Sequence, residues 1–138
     1  MAVDLMNNAL SFTAAPGEPF IQVTGTGLWS PAEIERHFRA LDKVLRPLRV
    51  RHGFARILID MSEAKVQTVD AAAALDRWTG LTYRERDEVA VICTSTLLAM
   101  QTRRTAKIYH RAVFTERTAA IAWLLSDKTA ASRSVRSA

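Results

Sequence analysis

Two stretches near the start of the chain have the composition of strands. Residues 8–14 and 19–25 are predicted as strands, and residues 20–24 of the second are rich in β-branched and aromatic side chains. The segment Ala15-Pro16-Gly17-Glu18-Pro19 lies between them, and its prolines and glycine favour a turn. The pattern therefore predicts an N-terminal β-hairpin.

The hairpin is followed by a strong helix signal. Ser30 is a good N-cap, Pro31 suits the first helical position, and Glu33 can complete a capping box. Apolar residues then recur at spacings of four, three, four and three, as one buried stripe of a helix does. The stripe consists of Ile34, Phe38, Leu41, Leu45 and Leu48. Pro47 is expected to break or kink the last turn.

Strands and helices alternate through the rest of the chain. Strands are predicted over residues 55–61, 88–94 and 111–114, and the first two have the continuous apolar character of strands buried on both faces. One helix should span about residues 69–81, capped by Thr68 or Asp70, with Gly80 as a possible C-terminal signal. Another should run from a cap at Thr94 or Ser95 to about Tyr109.

The last predicted helix follows a cap at Thr115. The expected inward face of the helix over residues 69–81 consists of Ala71, Ala74, Leu75 and Trp78. That of the last helix consists of Ala119, Ala120, Trp123 and Leu124. Alternating strands and helices imply parallel pairing with right-handed crossovers. We therefore predict an α/β fold in which a hairpin leads into β-α units, with about five strands and four helices.

Length and composition indicate one globular domain. The 138 residues are 49% apolar, with a core expected over about residues 8–126 and a flexible tail over 127–138. No apolar run approaches the roughly 20 residues of a membrane span. The N-terminus lacks the basic and apolar regions of a signal peptide, and Cys93 is the single cysteine. These features favour a cytoplasmic location.

The formal charge of +5 does not by itself indicate a nucleic-acid partner. The basic residues of the first helix, Arg36 to Arg49, alternate with acidic ones as on a solvated face, and aromatic residues are only 7% of the chain. Peripheral membrane contact through the basic tail stays possible. His37, on the expected exposed side of the first helix, His52 and His110 lie on three elements, so no metal site is expected.

Three segments carry a resemblance to a known family. They are the strand and turn Ile57-Leu58-Ile59-Asp60-Met61-Ser62, the strand 89–92, and the closing Val113-Phe114-Thr115 with residues 119–124. With this layout, the chain resembles the SpoIIAA-like (STAS-like) family over about residues 8–126. The resemblance implies a superhelical β-α fold. The wider fold group also includes the CRAL-TRIO lipid-transfer domains.

The resemblance also identifies one departure. Family members that act as anti-sigma-factor antagonists carry a serine at the N-terminus of the helix after the central strand, and a partner kinase phosphorylates it. Here Ala71 stands at that position, after Asp70, which argues against such a switch. Replacing Ala71 with Ser is expected to leave the fold intact, whereas a charge at Ala74 should cost several kcal/mol.

Two carboxylates are the main candidates for chemistry. Asp60 and Asp70 are predicted to flank one loop at the carboxyl end of a strand, where ligands bind in open α/β sheets. That placement is compatible with acid–base catalysis by the two carboxylates. It is equally compatible with a structural role, in which Asp60 orders the loop and Asp70 stabilises the N-terminus of the helix. Gly25-Thr26-Gly27 lacks the third glycine of a dinucleotide fingerprint, so no cofactor is expected.

An apolar set on two adjacent helices suggests a binding groove, although core or dimer packing would explain it as well. We interpret the chain as a non-enzymatic binding or regulatory domain that acts through a protein partner or a small apolar, lipid-like ligand. The alternative is a small enzyme using Asp60 and Asp70. A homodimer is possible. The candidate ligand-binding residues are Asp60, Ser62, Asp70, Trp78, Leu97, Leu98 and Met100.

Overall fold

The strand-forming segments assemble into one mixed sheet in a computed structural model that describes residues 8–14, 19–104 and 110–126. The strands are β1 (Ala9–Thr13), β2 (Ile21–Gly27), β3 (Arg56–Ala64), β4 (Glu88–Ile92) and β5 (His110–Phe114). The helices are α1 (Pro31–His52), α2 (Val69–Thr82), α3 (Thr96–Arg103) and α4 (Arg117–Leu125). The expected five strands and four helices are confirmed in these ranges.

The order of the strands in the sheet follows their order in the chain. β1 pairs antiparallel with β2, and every later pair is parallel. The antiparallel pair confirms the hairpin, while residues 15–18 of its expected turn lie outside the described ranges, as does the tail 127–138. β3 continues to Ala64, so Asp60 lies within a strand rather than at the start of a loop.

Helices cover both faces of the sheet. α1, α2 and α3 bury the larger core against one face, where Ile34, Leu41 and Leu45 are fully buried. Among the described helices, α4 alone packs on the opposite face, where Ala120 and Leu124 cover Leu58, Ala90 and Ile92. Both faces of β3 and β4 are therefore buried, as their continuous apolar sequences predict. No described helix is long and apolar enough to cross a membrane.

α1 begins as its sequence predicts and ends later. The Ser30 hydroxyl accepts from the Glu33 amide at 3.2 Å, and the Glu33 carboxylate accepts from the Ser30 amide at 3.1 Å. The expected break at Pro47 is wrong, because the helix continues to His52 and ends at Gly53, whose φ is 86°. Proline removes one helical hydrogen bond, and packing of Leu45 and Leu48 on either side of it holds the helix together.

The other helix boundaries agree with prediction only in part. α2 spans Val69–Thr82, close to the predicted range of about 69–81, and Gly80 does not end it. α3 ends at Arg103, and residues 105–109 of its predicted range lie outside the described residues. α4 begins at Arg117, and its N-cap Glu116 makes no side-chain capping bond, so Thr115 is not the cap. Ala119 is consequently exposed, because Ala120 and Leu124 form the face that meets the sheet.

Two residues of α1 expected at the surface are drawn into the structure. Arg49 is half-buried rather than on a solvated face, since its guanidinium donates to the fully buried Asp87 at 2.6 Å. His37 is only 7% exposed, and its ring packs edge-on against Phe12 and Phe38. Both differences arise because α1 packs against β1 and α2 as well as the sheet centre, so its buried face is wider than one stripe.

Candidate partner-binding surface

Two glutamines fix the loop between β3 and α2. The backbone amide of Gln67 donates to Gln101 Oε1 at 3.0 Å, and Gln101 Nε2 donates to the Gln67 carbonyl at 3.2 Å. The buried Gln67 side chain donates to the carbonyls of Gly27 and Lys65 and accepts from the Trp29 amide. This loop is therefore tied to the end of β2 and to α3, at the carboxyl edge of the parallel strands.

An apolar cleft lies beside this anchored loop. It has a volume of about 390 Å³ and separates α2 from α3. Val66, Leu97 and Met100 line it and are 46%, 67% and 44% exposed, respectively. The other lining residues are Ala72, Asp76, Gln101 and Arg104. We call this set the carboxyl-edge cleft. Its lining is mostly apolar and includes one acidic residue, Asp76, and one basic residue, Arg104.

The first turn of α2 adjoins the cleft. Thr68 is the N-cap, and its hydroxyl accepts from the Ala71 amide at 3.2 Å. Val69 and Asp70 point to solvent, whereas Ala71 is completely buried in the larger core. The position at which the family resemblance places a phospho-acceptor hydroxyl thus faces the sheet in this chain.

The apolar residues expected to share one groove are divided among three places. Leu97 and Met100 line the carboxyl-edge cleft. Leu98 is buried in the larger core. Trp78 lies on another side of α2, where the guanidinium groups of Arg39 and Arg77 stand 5.1 Å and 5.8 Å from its ring. The groove is therefore framed by Leu97 and Met100 with Val66 and Ala72, not by Trp78 and Leu98.

The two candidate carboxylates do not share a site. Asp60 lies on the α4 face of the sheet, where it accepts from the Ser62 amide at 2.9 Å and the Ser62 hydroxyl at 2.6 Å. Arg117 of α4 approaches the same carboxylate to 4.0 Å. Asp70 is exposed on α2, which packs on the other face. The expectation that both flank one loop is wrong, because β3 extends four residues past Asp60.

Gly25, one of the two glycines before α1, serves packing. A Cβ at Gly25 would lie 2.5 Å from Cζ2 of Trp29 and 2.7 Å from Sδ of Met61. The buried Trp29 indole donates to the carbonyls of Ala9 and Thr26, both at 2.9 Å. Gly25 is thus required for close approach of a tryptophan ring. No cluster of three potential metal ligands occurs among the described residues.

Comparison with solved structures identifies the fold. No protein-family model matches the sequence, and no curated protein matches it. The chain is similar to the crystal structure of an uncharacterised DUF3478-family protein with a SpoIIAA-like fold from Shewanella loihica PV-4. The TM-score is 0.59 at 21% identity, over 84% of this chain and 92% of that one. The chain has a SpoIIAA-like fold.

This SpoIIAA-like fold confirms the architecture that the resemblance implied. At 21% identity the likeness concerns the fold alone. The anchoring glutamines of this SpoIIAA-like domain were absent from the sequence prediction. The only local sign of this contact is that a polar residue, Gln67, lies directly before the Thr68 cap. Its partner Gln101 lies 34 residues further along the chain, so the sequence near Gln67 does not indicate it.

Proposed function

We propose that this chain is a non-enzymatic binding or regulatory domain that acts through a protein partner docked at the carboxyl-edge cleft. The observation that carries the proposal is exposure of Val66, Leu97 and Met100 together beside a loop fixed by Gln67 and Gln101. Scattered exposed apolar residues are normal, whereas a contiguous apolar set on a fixed frame is typical of interaction sites. Because the loop is already held by Gln67 and Gln101, less conformational entropy is lost when a partner docks.

The cleft has features that favour a protein over a small molecule as occupant. Its apolar residues are 44–67% exposed, so a small ligand would keep much of its own surface in water. A protein surface would cover the residues at once and could present opposite charges to Asp76 and Arg104. We include a cytoplasmic location in the proposal, without a phosphorylation switch at Ala71.

The alternative of a small enzyme loses its physical basis at Asp60 and Asp70. General acid–base catalysis requires both groups within hydrogen-bond reach of one substrate, directly or through water. These carboxylates lie on opposite faces of the sheet, and the Asp60 carboxylate already accepts two hydrogen bonds from Ser62. The separation supports a binding function for the domain.

Site-specific photo-crosslinking tests the proposal. A benzoylphenylalanine at Leu97 should crosslink to a specific protein in cells of the source organism. Benzoylphenylalanine at Val50, an exposed apolar residue near the end of α1, is the matched control and should not crosslink to that protein. Mass spectrometry identifies the adduct, and titration of that purified protein then gives its Kd for the wild-type domain.

Two charge variants complete the experiment. Leu97→Asp should weaken binding at least about tenfold because it places a carboxylate in the apolar contact, whereas Val50→Asp should not. A crosslink between two copies, with a dimer that Leu97→Asp dissociates in sedimentation velocity, would identify the partner as a second copy. The proposal is wrong if position 97 gives no specific adduct or if both variants bind like the wild type.

A further inference from the structure

A narrow slot lies between the sheet and the helices α1 and α2, distinct from the carboxyl-edge cleft. All five strands contribute side chains to its floor. They are Leu10, Val23, Ile59, Met61, Val91 and Arg111. Val23, Ile59 and Val91 are direct partners in register, so the floor follows one row across the middle of the sheet. The slot has a volume of about 80 Å³.

The roof of the slot contains a buried histidine that has no hydrogen-bond partner among the described residues. His37 and Phe38 of α1 line it, with Leu75, Thr79 and Tyr83 from α2 and its cap. His37 is 7% exposed, and its neighbours Phe12 and Phe38 offer aromatic edges and faces. Within the described ranges no hydrogen bond reaches either of its ring nitrogens.

An unpartnered buried imidazole indicates what the slot can recognise. Burial lowers the pKa of His37 to about 4, so the ring is neutral at pH 7 and has one N–H donor and one bare nitrogen acceptor. Leaving the polar nitrogens of a buried imidazole without hydrogen bonds is energetically unfavourable. A ligand hydroxyl or carbonyl would satisfy it, while the ligand's body contacts Val23, Ile59 and Leu75.

The size of the slot limits the ligand. A cavity of about 150 Å³ holds benzene, so 80 Å³ accommodates a molecule of about three to five heavy atoms. A charged ligand is disfavoured next to His37, because the neutral imidazole and the apolar walls around it offer no compensating charge; among the lining residues only Arg111, at the β5 side of the floor, is charged.

We propose that the slot beneath α1 and α2 binds a small neutral molecule of short-alcohol size, with an apolar body against the sheet and one hydroxyl or carbonyl hydrogen-bonded to His37. The slot and the carboxyl-edge cleft share no lining residue, so this site is independent of a protein docked at the cleft. Its binding would stabilise the packing of α1 and α2 on the sheet by mass action.

NMR titration with two probes tests the site. 2-Propanol and 2-chloropropane have nearly the same shape and differ in the hydroxyl. 2-Propanol should shift the imidazole nitrogen resonances of His37 and the methyl resonances of Val23 and Ile59 at millimolar concentration. The exposed His52 serves as an internal reference and should not shift. 2-Chloropropane should bind about tenfold more weakly, because it leaves the imidazole unpaired.

A matched pair of variants isolates the hydrogen bond. His37→Phe retains a ring between Phe12 and Phe38 and should remove the preference for 2-propanol over 2-chloropropane. His52→Phe makes the same change on the exposed part of the same helix and should preserve it. The proposal is overturned if 2-propanol leaves His37 unshifted, if the two probes bind wild type equally, or if His37→Phe keeps the preference. The wild-type titration decides the matter alone if His37→Phe fails to fold.

Discussion

At the scale of single residues, Asp87 has the densest set of polar contacts in the described structure. Its buried carboxylate accepts from the Arg49 guanidinium, from the Ala55 amide at 2.9 Å and from the Arg84 amide at 2.8 Å. Arg49 also donates to the Thr82 carbonyl at 2.9 Å. One carboxylate therefore joins the end of α1, the start of β3 and the turn before β4.

Asp87→Asn should lower the free energy of unfolding by about 3–5 kcal/mol, because it removes the buried carboxylate that Arg49 contacts at 2.6 Å and leaves only Asp42, 4.0 Å away, as an anion near the half-buried guanidinium. Urea denaturation measures the change. Glu35→Gln breaks the exposed pair with Arg39, whose side chains are 48% and 63% accessible, and should cost less than about 1 kcal/mol. Similar losses for both variants would contradict the structural role of Asp87.

His37 makes stability depend on pH. Its pKa falls from 6.5 in the unfolded chain to about 4 in the folded protein, so between these values the unfolded state binds more protons. The free energy of unfolding is therefore highest above pH 6.5. It falls by roughly 3 kcal/mol as the pH decreases toward 4, because protonation of His37 favours the unfolded state. Urea titrations at several pH values should show this loss in wild type and a smaller one in His37→Phe. Equal pH dependence in both proteins would disprove the assignment.

Periodicity predicted the centre of the buried face of α1 but not its width. Ile34, Phe38, Leu41 and Leu45 are buried as expected. His37 and Arg49 flank that stripe, and polarity alone assigned them to solvent. Their burial depends on Phe12 and Asp87, which the chain places 25 and 38 residues away. Local sequence cannot specify such distant neighbours.

At the scale of elements, two glycines should respond in opposite ways to alanine. Gly25→Ala drives a methyl against Trp29 and Met61 and should cost about 1–3 kcal/mol through overpacking. Gly80→Ala places a good helix former at an exposed position inside α2 and should stabilise by about 0.5–1 kcal/mol. Thermal unfolding of both variants checks the signs. A stabilising Gly25→Ala would contradict the packing of Trp29.

The small residues of α2 also differ in environment. Ala71 is fully buried while Ala74 is partly exposed, so the sequence-based expectation for this pair needs correction. Ala71→Ser buries a hydroxyl and should cost about 1 kcal/mol while leaving the fold intact. Ala71→Glu should cost more than about 3 kcal/mol, whereas Ala74→Glu can extend its carboxylate to water and should cost about 1 kcal/mol. Chemical denaturation ranks the three variants, and a larger loss for Ala74→Glu would refute this helix orientation.

Helix starts with strong side-chain caps were predictable, and the other boundaries were not. Ser30, Thr68 and Ser95 all cap as their sequences indicate. Gly80 did not end α2, because that helix continues until Thr82. α4 begins without a side-chain cap, and its packing on Leu58 and Ile92 supplies the stability that a cap would otherwise add.

At the scale of the whole molecule, hydrogen bonding is densest in the middle of the sheet. β3 and β4 pair on both sides and are covered on both faces, whereas β1 pairs with β2 alone among the described strands. Native-state hydrogen exchange should therefore be slowest at amides of β3 and β4, where opening requires global unfolding, and faster in β1. β1 amides as slow as those of β4 would contradict this ranking.

The fold could be predicted as a whole, whereas its surface could not. Alternating strand and helix patterns specified the β-α architecture because each element carries its own periodicity. The carboxyl-edge cleft depends on the contact between Gln67 and Gln101, and the place of Trp78 outside that cleft is set by its contact with Arg39. These are contacts between elements, which periodicity within one element does not encode.

The agreement between strand order and chain order bears on synthesis. Each described strand pairs with the strand made just before it, so no position in the sheet is reserved for a later segment. As the chain leaves the ribosome, the sheet can be extended one strand at a time, with the newest strand as its growing edge. Until α4 emerges and covers Leu58, Ala90 and Ile92, that nascent sheet displays an apolar surface of the kind that chaperones recognise.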